Sequence, residues 1–178
     1  ILGTNAISGT ANLINDNLIN TTSAPVNVPY VVSMVAQNGC TNSQTLTYAI
    51  SPTPVISDPI RYDTICSGTP ISFIPKTQLS GSVFTWANPA TSGITGGSAA
   101  ALASKITNFN QTLSNATANT INTVYNLAPA YQYTGFACTG PTFQIFITVN
   151  PKPNIVSPVN VSACSGTPFK SIPVTSGS

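Results

Sequence analysis

The chain has 178 residues, of which 42% are hydrophobic and only 4% are charged, and its formal net charge is +2. An average soluble domain has about 25% charged residues, so Thr, Ser, Asn and Gln must form most of this surface, and a basic patch for nucleic acid or anionic lipid is excluded. The chain has no histidine, and no apolar run approaches the ~18 residues of a membrane helix.

Short predicted strands follow one another through the middle of the chain, separated by Gly, Pro and Asn. The predicted strands are 54–65 (interrupted by Pro59), 71–73, 82–87, 106–113, 123–128 and 142–150, and 91–99 is predicted to be a loop or a weak edge strand. The last of them alternates cleanly, with Phe143, Ile145, Ile147 and Val149 expected to point inward. This period of two, without a helical period, is typical of half-buried strands.

The same sequence features recur after 98 residues. CSGTPISFIP begins at Cys66 and CSGTPFKSIP at Cys164, and Cys40 and Cys138 have the same spacing. ISPTPVI at 50–56 likewise parallels VNPKPNI at 149–155. Such self-similarity is the signature of tandem domains, so we divide the chain into the C-terminal part of one repeat (1–52), a complete repeat (53–152) and the N-terminal part of a third (153–178). We interpret the chain as part of a longer polypeptide.

About seven short strands in a repeat of this length predict an all-β fold, a tandem series of immunoglobulin-like β-sandwiches. Trp86 falls on the third predicted strand, where such folds often bury a tryptophan. The Pro-rich connections at 52–54 and 151–153 lack amide donors and should stiffen the joints between repeats.

Several segments together resemble the PKD-like repeat of Bacteroidota surface proteins; they are ICSGTPISF, VFTW, ITGGSAA, TLSNATANTINTVYNL and ACTGPTFQIFITVNPKP. The resemblance covers the whole chain, and its C-S-G-T, G-C-T-G-x-x-F and V-N-P-x-P motifs occur in the family's order, although the first repeat lacks the Phe that follows the cysteine. It implies an extracellular, cell-surface location in a large adhesin exported by type IX secretion, including the SprB-like filaments of gliding cells.

The resemblance also implies a modification. Asp63-Thr64-Ile65 matches the Bacteroidota O-glycosylation signal, in which Asp precedes Ser or Thr and an apolar residue, so Thr64 is a candidate acceptor; a chance tripeptide on a strand is the alternative. The N-x-S/T matches arise freely in a chain rich in Asn and Thr, and we give them no weight; they begin at Asn20, Asn110, Asn115 and Asn160.

Two cysteines per repeat, always at the same phase, suggest an oxidising compartment. In a seven-stranded sandwich Cys66 follows the first strand and Cys138 precedes the last, at opposite ends, which conflicts with the ~7 Å limit on Cα separation in a disulfide. Three alternatives remain open for Cys40, Cys66, Cys138 and Cys164: bonds within a repeat, bonds between successive repeats, and free thiols. A zinc site does not fit, because there is no histidine and no C-x-x-C.

Catalysis and cofactor binding are not expected. Without histidine the potential acid–base groups are few and scattered, and three acids cannot build repeated calcium sites. Most aromatic residues fall on inward faces; the contact candidates are Tyr131 and Tyr133, in a segment predicted to be an exposed loop, and Phe146, which should point outward.

We therefore predict a structural repeat of an extracellular adhesin or cell-surface filament, acting in adhesion or gliding motility. Its expected partners are neighbouring repeats, and possible further ones are laterally associated chains or surface polysaccharide. The alternative is a carbohydrate-binding or accessory module of a secreted enzyme, which would need an exposed aromatic platform in each repeat.

Overall fold

A computed structural model describes residues 2–3, 13–133, 135–156, 162, 164–168 and 175–177, with side chains for 13–133, 135–153, 162 and 164–168. Apart from one 3-10 turn at Leu102–Ser104, the regular structure of these residues consists of β-strands, which confirms the predicted all-β class. The strands are β1 (Leu2–Gly3), β2 (Leu18–Ile19), β3 (Val26–Val35), β4 (Thr41–Ile50), β5 (Arg61–Cys66), β6 (Pro70–Phe73), β7 (Val83–Thr85), β8 (Ile94–Thr95), β9 (Phe109–Thr112), β10 (Ser114–Asn115), β11 (Ile121–Tyr133), β12 (Phe136–Thr139), β13 (Phe143–Asn150), β14 (Asn154–Val156) and β15 (Thr175–Gly177).

The strands from β5 to β13 form two layers. The larger sheet has the order β12-β11-β13-β5, and β7 also pairs with β11. All of its pairs are antiparallel except β5 with β13, which run parallel. The facing layer contains the antiparallel pair β6 and β9, and β8 pairs with β10 beside it. This is the predicted sandwich.

A continuous apolar core lies between the two layers. Phe109, Leu113, Tyr125, Leu127, Ile145 and Val149 have 0% of their surface exposed. Phe109 packs against the rings of Phe73, Trp86 and Tyr125, with centroids 5.0 to 5.5 Å apart. The alternation predicted for the last strand is confirmed, since its four inward residues are all buried.

Preceding these strands, β3 and β4 form a long antiparallel hairpin in which Val26 pairs with Ile50 and Val35 with Thr41. The hairpin has the same register as β11 with β13: Tyr30 lies opposite Leu46, as Tyr125 lies opposite Ile145. The recurrence seen in the sequence is therefore also a recurrence of strand pairing.

The turn after β5 shows why the C-S-G-T motif recurs. Gly68 has a φ of +80°, a conformation that residues with a Cβ rarely adopt, and the Thr69 amide donates to the Cys66 carbonyl at 3.0 Å. The later copy is the same, with Gly166 at +82° and a bond from Thr167 to Cys164. Half of the predicted segment 153–178 around this turn, including Asn160, lies outside the described residues.

One local prediction needs correction, and another is confirmed. The segment around Tyr131 and Tyr133, predicted to be a loop, extends β11 and pairs with β12; Tyr131 lies opposite Cys138. The predicted interruption of the first strand at Pro59 is confirmed: Ile56 forms an isolated bridge with Thr77, and regular pairing begins again only at Arg61. Pro59 between them cannot donate to a ladder, which accounts for the break.

Candidate functional site

Side-chain hydrogen bonds and an ion pair lie near the two ends of the sandwich formed by β5 to β13, where the chain enters it and leaves it. The incoming chain passes Pro54 and reaches β5, whereas the outgoing chain leaves from Asn150 at the end of β13. Because β5 and β13 are parallel neighbours, these two points lie at opposite ends of one ladder, which pairs Arg61–Cys66 with Ile145–Asn150. We call this pairing the terminal-strand ladder.

The incoming connection is fixed to the sandwich. Pro54 is fully buried, and a Cβ added at Gly140 would collide with its carbonyl oxygen. The side chain of Gln78 holds the residues on either side: its Oε1 accepts from the Val55 amide at 3.0 Å and its Nε2 donates to the Thr53 carbonyl at 3.2 Å. The Pro-rich connection at 52–54 is therefore held by the second sandwich at three consecutive residues.

Three charged residues lie at the start of β5 or just before it. Arg61 forms an ion pair with Asp63, and its guanidinium lies 4.5 Å from the centre of the Phe73 ring. Asp58 instead accepts a hydrogen bond from the Lys76 amide at 2.6 Å. These acids bond to separate partners, and among the described residues no three His, Cys, Asp or Glu side chains are grouped to hold a metal ion.

The outgoing end is joined by a buried asparagine, Asn115, which is 6% exposed. Its Nδ2 donates to the carbonyls of Asn119, at 2.7 Å, and Val149, at 2.9 Å. Its Oδ1 accepts from the Thr117 amide at 2.9 Å and from the Thr117 hydroxyl at 2.8 Å. Asn115 thus closes its own loop and ties that loop to the last strand.

The same asparagine cluster recurs in the first repeat. Asn20 is 9% exposed, and it bonds Ala24, Ile50 and Thr22 as Asn115 bonds Asn119, Val149 and Thr117. Sequence reasoning missed these residues, treating them as chance N-x-S/T matches. The signal that could have found them is the pattern L-x-N-x-T, which begins at Leu18 and again at Leu113. Both Nδ2 hydrogens of each asparagine are used, so a glycan at either nitrogen would break the cluster.

The ladder register separates Cys66 from Cys138. Cys66 lies opposite Asn150, one residue beyond the pair Val149–Ile121, whereas Cys138 lies opposite Tyr131. Ten residues of β11 therefore lie between the two levels, roughly 30 Å at the usual rise of a strand. A disulfide within the repeat is excluded by this distance. All four cysteines are free in the structure, and pairing between successive repeats stays a prediction.

The outer face of the terminal-strand ladder carries an aromatic pair. Phe146 is half-buried because it stacks on Tyr62, with ring centroids 5.0 Å apart, and Tyr62 is 73% exposed. The other contact candidates, Tyr131 and Tyr133, are half-buried in the β11–β12 hairpin rather than in a loop. Sequence reasoning missed Tyr62, whose outward position follows from the alternation in β5.

Thr64 lies on the same outer face, exposed and opposite Thr148. Its hydroxyl is therefore on the surface at an edge strand, a position that an enzyme could reach. O-glycosylation of Thr64 stays a prediction.

The interior of the sandwich offers no acid–base chemistry at its tyrosine. Burial raises the pKa of Tyr125 to about 12, so its hydroxyl remains protonated at neutral pH. The hydroxyl oxygen lies 3.3 Å from both Gln111 Oε1 and Asn88 Oδ1.

Among the described residues, no helix has the length and hydropathy to cross a membrane.

The two-layer fold and the structures that recur in both repeats, the asparagine cluster and the C-S-G-T turn, define an immunoglobulin-like β-sandwich module that is repeated along the chain. A family model described as PKD-like domain matches residues 1–55 and 63–153, which is most of the sequence. The chain therefore belongs to the PKD-like domain family, which suggests a structural module of the extracellular type. No curated protein and no solved structure matches it.

Proposed function

We propose that this chain is a load-bearing spacer segment of a large cell-surface adhesin or filament, in which tandem PKD-like modules transmit tension in adhesion or gliding motility. The type IX-secreted, SprB-like adhesins that the sequence resembles are the proposed context. The module itself carries out no catalysis in this proposal and holds neither a cofactor nor a metal.

The observation that carries the proposal is the terminal-strand ladder. Tension on a tandem array pulls β5 from its first residue and β13 from its last, in opposite directions. Since the strands are parallel neighbours, this tension slides one past the other and loads all six residue pairs of the ladder together. An antiparallel pairing of first and last strands would instead open one pair at a time.

Two features support the same role. The connection at 53–55 is held by Gln78, and the outgoing end of β13 is held by Asn115 through the Val149 carbonyl. Tension must therefore break these contacts as well as the ladder before the ends of the module separate. A surface with few charges is also little affected by salt, because screening acts on charges.

Single-molecule pulling tests the proposal on the intact chain. Handles at positions 53 and 152 load the terminal-strand ladder in the sliding direction. Handles at positions 120 and 152 provide a matched control, because they lie at adjacent ends of β11 and β13 and open that pairing residue by residue. We expect a markedly higher unfolding force in the first geometry. Equal forces, or a lower force between 53 and 152, would contradict a load-bearing role.

A further inference from the structure

We propose that one face of the β3–β4 hairpin is half of a sandwich core, and that the first strands of a PKD-like repeat, contributed by the same polypeptide N-terminal to the hairpin, cover it. The face carries Tyr30, Val32, Leu46, Tyr48 and Ile50, and we call it the open face. This inference concerns the first repeat and does not depend on a mechanical role for the second.

The open face is unusually apolar for a surface. Tyr48 is 50% exposed, Leu46 40% and Val32 36%, and the rings of Tyr30 and Tyr48 meet edge to face at 5.8 Å. A cleft of about 340 Å³ lies against it, lined by these two tyrosines together with Asp16 and Leu18. In the part of the chain that the structure describes, no strand is paired with the free edge of β4.

The second repeat shows what belongs on this face. With the two hairpins in the same register, Tyr30 corresponds to Tyr125, Leu46 to Ile145 and Tyr48 to Ile147. Tyr125, Ile145 and Ile147 of the second repeat have only 0–1% of their surface exposed. There, β5 adds to the free edge of β13, and Ile71, Phe84 and Trp86 belong to the same buried core. The segment that covers the open face must therefore have the pattern of residues 54–108.

A polar detail indicates that the cleft is an uncovered core and not a ligand site. The Tyr30 hydroxyl donates to Asp16 Oδ2 at 2.6 Å, and this bond raises the pKa of Tyr30. Tyr125 makes the corresponding bond to Gln111 Oε1, which also accepts from the Ser98 amide at 2.7 Å. Ser98 belongs to the segment that precedes the hairpin strands, so the second bond to Asp16 would come from the covering segment.

The test adds a copy of the proposed covering segment to the chain. In a chimera, a copy of residues 54–108 directly precedes Ile14, and 14–178 is retained. Backbone hydrogen exchange of 26–50 is measured in the chain and in the chimera, with residues 121–150 as the internal reference. We expect exchange of 26–50 to slow by about 100-fold or more in the chimera, because the hairpin becomes part of a cooperative core.

A matched chimera with Phe84→Asp in the copied segment alone separates core formation from mere extension. It should exchange at 26–50 like the unmodified chain, while 121–150 stays protected in all three proteins. Unchanged exchange of 26–50 in the first chimera would overturn the proposal. So would an unmodified chain that sediments as a dimer with 26–50 already protected, since a second copy would then be the occupant.

Discussion

Replacing Phe109 with alanine is expected to lower the free energy of unfolding of the second repeat by about 3–5 kcal/mol, the usual cost of truncating a buried Phe. Phe109 is 0% exposed and contacts the rings of Phe73, Trp86 and Tyr125 from the facing layers. Its removal leaves a cavity where the two sheets meet. Urea unfolding followed by Trp86 fluorescence measures the change.

Phe136→Ala is the matched control for the Phe109 substitution. Phe136 is also on a strand, but it is 79% exposed, so its truncation should change the stability by less than about 0.5 kcal/mol. Equal effects of the two substitutions would show that the core does not lie between β9 and β11.

Replacing Asn115 with alanine is expected to lower the free energy of unfolding by about 1–3 kcal/mol, the usual cost of an unsatisfied buried polar group, even though no apolar group is lost. The substitution leaves the buried Val149 carbonyl without its partner, whereas the amide of the exposed Thr117 can bond to water instead. The same unfolding experiment applies. Hydrogen exchange should also accelerate first around 115–120, where the loop is closed by this side chain.

Asn126→Ala is the control for the asparagine cluster. Asn126 is exposed on β11 and accepts one hydrogen bond from Gln144 on the outer face, so its loss should be nearly neutral. A neutral Asn115→Ala would contradict the interpretation that the cluster secures the outgoing end of β13.

The fold could be predicted from the sequence largely because alternation and repetition reinforce each other. The inward residues of β13 follow from its period of two, and the recurrence of C-S-G-T places a turn in each repeat. By contrast, the extent of β11 could not be predicted, because the strand continues through Pro129 and changes partners from β13 to β7 and β12. Pairing of that kind is decided by tertiary contacts, which override local propensity.

The polar features were harder to predict than the core. Asn20 and Asn115 each begin an N-x-T tripeptide, which looks like a chance glycosylation match. Only their equivalent hydrogen bonds to the carbonyls of Ile50 and Val149 show that they have a structural role. The opposite positions of Cys66 and Cys138 did follow from strand order alone. The parallel pairing of β5 with β13 did not, since neither strand's sequence specifies its neighbour.

The mass of the natural polypeptide that contains this sequence tests the account most directly. Denaturing electrophoresis and mass spectrometry of cell-surface material, probed with an antibody to the second repeat, give that mass. A tandem array of load-bearing modules predicts a value many times the 18.3 kDa of this chain. A mature polypeptide close to 18.3 kDa would contradict the proposed array, because the terminal-strand ladder would then have no neighbouring modules to transmit tension.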